Sequence, residues 1–542
     1  MALHVFNTRT KQKEPFVPAD PKVVRIYTCG LTVYSHMHIG HARTYCFWDV
    51  FRRWLEYRGH HVISVINYTD IDDRIISGAA GGGTGMLDHA ERIIASFRQD
   101  CRALNIKDYA TYTRATDFVA EQIDAVQALL DKGHAYVSDG EVLYDVRSFE
   151  GYGELSGRTI ESLQEGASGR TDAAERERKR FFADFTLWKP SKPGEPSWET
   201  GRPEWPSGRP GWHIECSVMS TTTLGAHFDV HGGGIDNLFP HHENEVAQAE
   251  PLCGHPWVGY WMHPAHLQLL NESNEPVKMS KSLGNVISIP QLVEHHSAEQ
   301  IRWFFGVTHY RSSLAFNWQL LAESSKGFEK IQRAAAILER RLEQASDDEL
   351  KIPVQGTYAS LRPGDQAVPR ERESFVYGAF GEASTRFIDR FIAGMDDDMG
   401  TSKATAAVFD YVGELFVGGI EASDDVPSLL AAYRCLTRHL WVLGAELPNP
   451  RLYPELAVEC TRSANAGGGD DTERVAALGG VIDKLLEARQ DARKAKDFAK
   501  SDLIRDLLQA AGVAVEDTPK GPRWAVISLA QASGPLANDV VD

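Results

Sequence analysis

The sequence predicts an α/β protein built on a parallel sheet, and three observations predict it. Residues 23–29 (VVRIYTC) form a mostly apolar run of buried-strand type, ended by Gly30. A helical pattern begins at His38, with Phe47, Val50, Phe51, Trp54 and Leu55 on one face and Gly59 as its stop. A second apolar run, residues 61–68, completes a strand–helix–strand unit of βαβ spacing.

The chain has 542 residues, too many for one compact domain. A net charge of −18 argues against a general nucleic-acid coat but leaves room for a local basic face. The seven cysteines (Cys29, Cys46, Cys101, Cys216, Cys253, Cys435, Cys460) are odd in number and scattered. They suit a reducing compartment with some thiols open to metal, not a disulfide framework. With no signal pattern and no apolar run of spanning length, the expected location is cytoplasmic.

In chain order, residues 1–21 are a polar lead-in and 79–85 a glycine-rich connector that lacks the lysine of a phosphate loop. Residues 116–133 carry Val119, Ile123, Val126 and Leu130 at helical spacing. A hairpin is expected at 135–137 and 142–146 around Asp139-Gly140. The rhythm then lapses, with a charged run at 175–180 and a Pro/Gly/Trp-rich loop at 190–211. It returns with a strand at 226–230, a helix starting near Pro240 and apolar strand material at 257–270. Helices dominate from about residue 320, broken at 347–373, and a linker at 464–471 precedes helix at 473–511 and a β-like tail. The expected division is therefore 1–112 and 226–325 for the two halves of the sheet domain, with 113–225 inserted between them. Residues 326–465 would form a helical bundle and 466–542 a C-terminal domain.

Three groups of residues carry chemistry. His38-Ile39-Gly40-His41 sits at a helix N-terminus after a parallel-type strand, where free N–H groups and the helix dipole favour phosphate. Gly40 lets a flat ring approach the backbone, and the two histidines can donate to phosphate oxygens. A capping role explains the same pair. Lys278-Met279-Ser280-Lys281-Ser282 offers ammonium charge and hydroxyls to a polyphosphate, although such a loop is also an ordinary solvated turn. Cys29, Cys216, His241 and Glu245 are zinc-ligand types, and His241 and Glu245 lie four apart on one helix face. Without a CxxC pair the sequence does not assemble them, and His242, Glu243 and Asp236 compete on spacing.

The order of the first two motifs, around an insertion, resembles class I aminoacyl-tRNA synthetases. Along nearly its whole length the chain resembles the cysteinyl-tRNA synthetase family. The matching stretches include YTCGLTVYSHMHIGHAR, NYTDIDDRII, GRPGWHIECSVMS, HFDVHGGGIDNLFPHHENEVAQ and VKMSKSLGN. The resemblance implies a Rossmann-type catalytic domain with an inserted connective domain, a helical bundle and a small anticodon-binding domain. It implies a zinc ion on Cys29, Cys216, His241 and Glu245, with the substrate cysteine adding its sulfur. It places Cys29, Thr69, Trp212 and Asp236 around the amino acid. It places His38, Gly40, His41, Gly232, Gly233 and Lys281 on ATP, with His38, His41, Lys278 and Lys281 catalytic and Mg²⁺ accompanying ATP. The implied reaction activates L-cysteine and transfers it to tRNA(Cys), and the enzyme is expected to be a monomer.

There are departures from the family pattern. Leu31 replaces a usual proline, Met399-Gly400 replaces a usual Phe-Asn, and the 271–277 lead-in is long. Arg74 and Ser77 stand where lysines are linked to persulfide formation with pyridoxal phosphate, so that activity is not expected. Related ligases that join cysteine to an amino sugar lack a full anticodon-binding tail. Here the tail carries a basic helix, and Arg493, Phe498, Asp502 and Asp517 match positions linked to anticodon contact, with Phe498 in place of tryptophan. An RNA-binding paralogue without catalysis is the competing class, disfavoured by intact motif residues.

Overall fold

The computed structural model describes residues 2–80, 85–162, 177–280, 283–350, 375–453 and 456, and the backbone of two strands at 513–518 and 521–526. The chain divides into two compact units, Met1–Ala464 and Asn465–Asp542.

In the first unit, strand β1 (Val23–Thr28) leads through the expected motif to helix α1 (Ile39–Tyr57), then strand β2 (His61–Tyr68), helix α2 (Met86–Ala103) and strand β3 (Thr111–Arg114). β3 crosses the expected 112/113 division and belongs to the sheet. Helix α3 (Val119–Asp131) follows. The insertion is an antiparallel sheet in the order β4-β5-β6-β8-β7: β4 (Ala135–Ser138), β5 (Glu141–Tyr144), β6 (Phe185–Pro190), β7 (Trp198–Glu199) and β8 (Ser207–Pro210). The expected hairpin is β4–β5. The loop expected at 190–211 instead contains β7 and β8. These strands are short and carry Ser, Gly and Pro, so pairing with a neighbour makes them strands, not propensity.

Helix α4 (Trp212–Leu224) returns the chain to the parallel sheet as β9 (Phe228–Gly232), followed by helix α5 (Glu243–Cys253) and β10 (Val258–Met262). The parallel order is β10-β9-β1-β2-β3. The expected helix near Pro240 begins later. Leu238–His242 form a π-type turn with Phe239 extended (φ −140°, ψ 131°), and regular helix starts at Glu243. Pro240 suits a first helical turn, but its neighbour's extended backbone interrupts the ladder and turns His241 and His242 inward, both buried. Strands β11 (Leu267–Leu270), β12 (Pro276–Val277) and β13 (Leu314–Phe316) form a small sheet that frames the lysine loop. Helices α6 (Ala298–Gly306), α7 (Trp318–Leu342), α8 (Gly381–Asp396), α9 (Thr401–Val417) and α10 (Val426–Val442) follow. In the second unit, β14 (Val513–Thr518) and β15 (Gly521–Val526) form a hairpin.

α1 is the central helix. Its predicted apolar face is buried, from Phe47 at 7% to Trp54 at 0% exposure, and Gly59 ends it at φ +88°. Burial extends around the opposite face, which the apolar pattern did not predict, because that face carries a charge cluster. Asp49 accepts from Arg52 Nη2 (2.9 Å), Arg53 Nε (2.7 Å) and Arg302 Nη2 (2.7 Å). Burial alone would raise the Asp49 pKa, but Arg53, Arg302 and Arg52 hold it well below the usual carboxylate range. Asp49→Ala should therefore cost about 3–5 kcal/mol in denaturant unfolding, since it strands buried guanidiniums. A loss under about 1 kcal/mol, the scale of a solvated pair, would show that the cluster does not hold α1.

Candidate active site and metal centre

β1 and β9 lie side by side in parallel, Ile26 opposite Val230 and Thr28 opposite Gly232. Beyond the last pair, the Cys29 N–H donates to the Gly232 carbonyl at 2.8 Å. The chain runs from β1 outward through β2 and β3, then returns on the other side as β9 and β10. This is a switch point of the sheet, where open α/β folds place their ligands.

Four donors converge there. Cys29 comes from the end of β1, Cys216 from the first turns of α4, His241 from the π-type turn and Glu245 from α5. Their donor atoms all lie within 4.8 Å of one another, and all four residues are buried. Cys29 Sγ is 3.9 Å from Cys216 Sγ and 3.7 Å from Glu245 Oε1. Tetrahedral zinc with ordinary bond lengths sets its donors about 3.4–3.8 Å apart, so the thiols and carboxylate fit such an ion. His241 Nε2 is closer to Glu245 Oε1, at 2.8 Å, where the two share a proton as an ion pair. A second group shares two members: Cys29, His231, His242 and Glu245. His231 was not singled out in the sequence; its signal is its position in VHGGG, two residues before Gly233 at the end of a buried strand.

The histidines around the cluster are paired with one another and with its members. His231 Nε2 lies 2.7 Å from Glu245 Oε2, and His242 Nε2 lies 3.2 Å from Cys29 Sγ. His242 Nδ1 meets His263 Nε2 at 2.8 Å, and His263 Nδ1 meets Thr8 Oγ1 at 2.9 Å. His213 Nδ1 and His241 Nδ1 are 2.9 Å apart. Burial would raise Glu245, yet His241 and His231 hold it well below the usual carboxylate range. Burial would lower His241, yet Glu245 and Cys216 lift it to about 10. Burial pushes the Cys29 thiol up, whereas Cys216, against the same burial, is brought to about 6 by the hydrogen bond it accepts from Cys29 and by His241. The Cys216 thiolate and the Glu245 carboxylate thus outweigh one buried imidazolium, and the surplus negative charge suits a cation.

The helix start is built as tightly. His38 is the N-cap of α1, and its Nδ1 accepts from the Gly40 N–H at 3.1 Å. His41 Nδ1 accepts from the His38 N–H at 3.3 Å, closing a capping box. The two rings stack, centroids 3.7 Å apart and 19° from parallel. A Cβ on Gly40 would stand 3.0 Å from His38 Cε1, so glycine there makes room for the ring. An Nδ1 that accepts from backbone leaves the proton of a neutral imidazole on Nε2, making each histidine a donor through that atom.

The lysine loop comes back to the same helix start. Ile39 N–H donates to Ile287 O at 3.0 Å, and His38 forms a bridge with Ser288. Asn285 pins the loop by accepting from Ser280 N–H (2.8 Å) and donating to Lys278 O (3.0 Å). Lys278 is exposed there; Lys281 and Ser282 lie outside the described residues.

Two family models match. Residues 15–326 match the class I (C) tRNA synthetase catalytic domain, and residues 476–524 the cysteinyl-tRNA ligase anticodon binding domain. The chain is 40% identical over 522 residues to the cysteine–tRNA ligase of Lactiplantibacillus plantarum, covering 96% of this chain and 99% of that one. It is 39% identical over 533 residues to that of Thermococcus onnurineus, covering 98% and 100%. The chain belongs to the cysteinyl-tRNA synthetases. Among solved structures, a Mycobacterium tuberculosis methionyl-tRNA synthetase in complex with methionyl-adenylate shares the fold at TM-score 0.53 and 16% identity, covering 83% of this chain and 96% of that one.

In this cysteinyl-tRNA synthetase the other expected positions are placed as follows. Thr69 is buried, its Oγ1 3.3 Å from Asn67 Nδ2. Trp212, one turn before Cys216 on α4, stacks on His241 at 4.1 Å. Asp236 is exposed in the turn after Gly234. Gly232 is fully packed, a Cβ there meeting Met262 O at 2.1 Å and Trp48 at 2.4 Å. Gly233 lies against Cys29, with 3.2 Å between its would-be Cβ and that of Cys29. Of the competing ligand types, His242 reaches the cluster, while Glu243 accepts from the Gly153 and Ser156 amides. Arg493, Phe498 and Asp502 lie outside the described residues, and Asp517 is placed by its backbone on β14. No described helix is long and apolar enough to cross a membrane.

The capping geometry makes a direct expectation. In protein carrying nitrogen-labelled histidine, His38 and His41 at neutral pH should show unprotonated Nδ1 and protonated Nε2. An Nδ1–H tautomer on either residue would break the cap that the backbone distances describe.

Proposed function

We infer that this cysteine–tRNA ligase activates L-cysteine with ATP and passes it to the terminal ribose of tRNA(Cys), with one zinc ion on Cys29, Cys216, His241 and Glu245. The observation that carries this reading is the buried donor set at the sheet's switch point, beside the helix start at His38. Zinc held there supplies a Lewis acid that takes a thiolate far more readily than an alcohol, which separates cysteine from serine where pocket shape cannot. Glu245 is positioned by His231 at its second oxygen and Cys29 by His242, so these histidines orient ligands from outside.

Trp212 forms a wall over His241, and Thr69 and Asp236 are the polar groups proposed to orient the amino acid. The cysteine carboxylate then attacks the α-phosphate of ATP, which enters with Mg²⁺, and pyrophosphate leaves. The Nε2–H groups of His38 and His41 donate to phosphate oxygens as charge accumulates, and Lys278 and Lys281 add positive charge from the opposite loop. Their bridge through Ser288 supports one shared phosphate site. Gly40 keeps the nucleotide's approach to the helix start open, and Gly232 and Gly233 are proposed to meet ATP through their backbone. The adenylate is attacked by the tRNA ribose hydroxyl, and Arg493, Phe498, Asp502 and Asp517 are proposed to read the anticodon. The enzyme is proposed to work as a cytoplasmic monomer.

Purified protein should contain about one zinc per chain, and Cys216→Ser should lose both zinc and cysteine-dependent ATP–pyrophosphate exchange. Full zinc occupancy in Cys216→Ser would remove Cys216 from the site.

Truncation after about residue 472 should leave cysteine activation intact and collapse transfer to tRNA, because the matched anticodon domain is then missing. Normal charging by the truncated chain would refute the anticodon assignment.

A further inference from the structure

A small, mostly apolar cavity with two buried arginines in its wall lies between α1, α6 and the helical region, lined by none of the residues proposed for catalysis or zinc. Its volume is about 30 Å³, and its walls include Arg43, Cys46, Arg302, Thr308, Thr401 and Leu443. Arg302 is 2% exposed, and its Nη1 has no hydrogen-bond partner among the described residues. Its Nη2 is committed to Asp49 and its Nε to Leu443 O at 3.3 Å. Arg43, 4% exposed, is held by the Ala265, His266 and Ser312 carbonyls, none of which neutralises its charge. Burial lowers its pKa to about 10, which keeps it cationic at neutral pH.

The nearby acids do not balance these charges. Asp49 is shared by Arg52, Arg53 and Arg302, and Glu446 pairs with Arg53. Of the two guanidiniums that line the cavity, Arg43 is bonded to carbonyls alone and Arg302 shares its one carboxylate with Arg52 and Arg53. A water could fill the space but would leave that surplus charge in place. Gly444, at φ +69°, gives the Arg302 guanidinium its place; a Cβ there would come within 2.0 Å of Arg302 Nη2. The position is fixed, not adaptable.

We propose that this cavity binds a small monovalent inorganic anion of the halide class, held by Arg302 Nη1 and the charge of Arg43. Guanidinium is weakly hydrated and matches a weakly hydrated anion, and the apolar flank of Phe47, Val50 and Phe305 offers no further donors for a dianion. Occupancy joins α1, α6 and the bundle through one ion.

Crystals of the full chain grown with sodium bromide should show an anomalous peak within hydrogen-bond reach of Arg302 Nη1. In solution at fixed ionic strength, replacing gluconate by chloride should raise the thermal midpoint saturably, and Arg43→Met should lose that rise. A cavity without an anomalous peak, or an equal chloride effect in Arg43→Met, would overturn the proposal. The bromide experiment uses the natural chain and so stands even where the variant does not fold.

Discussion

The pairing of β1 with β9 is the constraint from which the site follows. The two strands are separated in sequence by the whole insertion, yet their register brings Cys29 against Gly232. One backbone hydrogen bond across that seam fixes where the first thiol stands relative to the turn carrying His241. A slip of one residue would turn every side chain on β9 to the other face of the sheet and take His231 away from Glu245. The insertion can be long because loop closure costs little extra with length, and because its strands bury their side chains in one apolar cluster with Tyr27, Val65 and Phe228 of the parallel sheet.

Two buried carboxylates show how the same physics serves two ends. Asp49 is surrounded by guanidiniums that cannot lose their protons, so its charge is permanently compensated and it anchors α1. Glu245 is surrounded by imidazoles and thiols, groups whose protons can leave. The first environment is inert across the physiological range; the second is one a metal can enter by displacing protons. Burial alone would not separate them, since both are at 0% exposure.

The histidines at the start of α1 remove a choice that the sequence left open. A capping pair and a phosphate-binding pair looked like competing explanations, but the cap uses Nδ1 of each ring and thereby assigns the proton to Nε2. The cap is what orients the donors. The departure at Met399-Gly400 likewise has a local account. Met399 is fully buried at φ +53°, and a Cβ on Gly400 would meet Gly394 O at 2.6 Å.

Strong local patterns determined what the sequence could determine. The apolar run of β1, the stripe and Gly59 stop of α1, the run of β2 and the Asp139-Gly140 hairpin are each written as a pattern in consecutive residues. Motif order and the matched stretches carried the family. Tertiary structure decided what depends on partners far along the chain: β7 and β8, whose residues become strand only beside a neighbour, and the late start of α5 after an extended Phe239. It also decided the gathering of Cys29, Cys216, His241 and Glu245 with His231, His242, His213 and His263 around them. No spacing rule could have joined these residues, because what places them is the register between strands and the packing of α4 and α5 over that seam, and both are properties of the folded sheet.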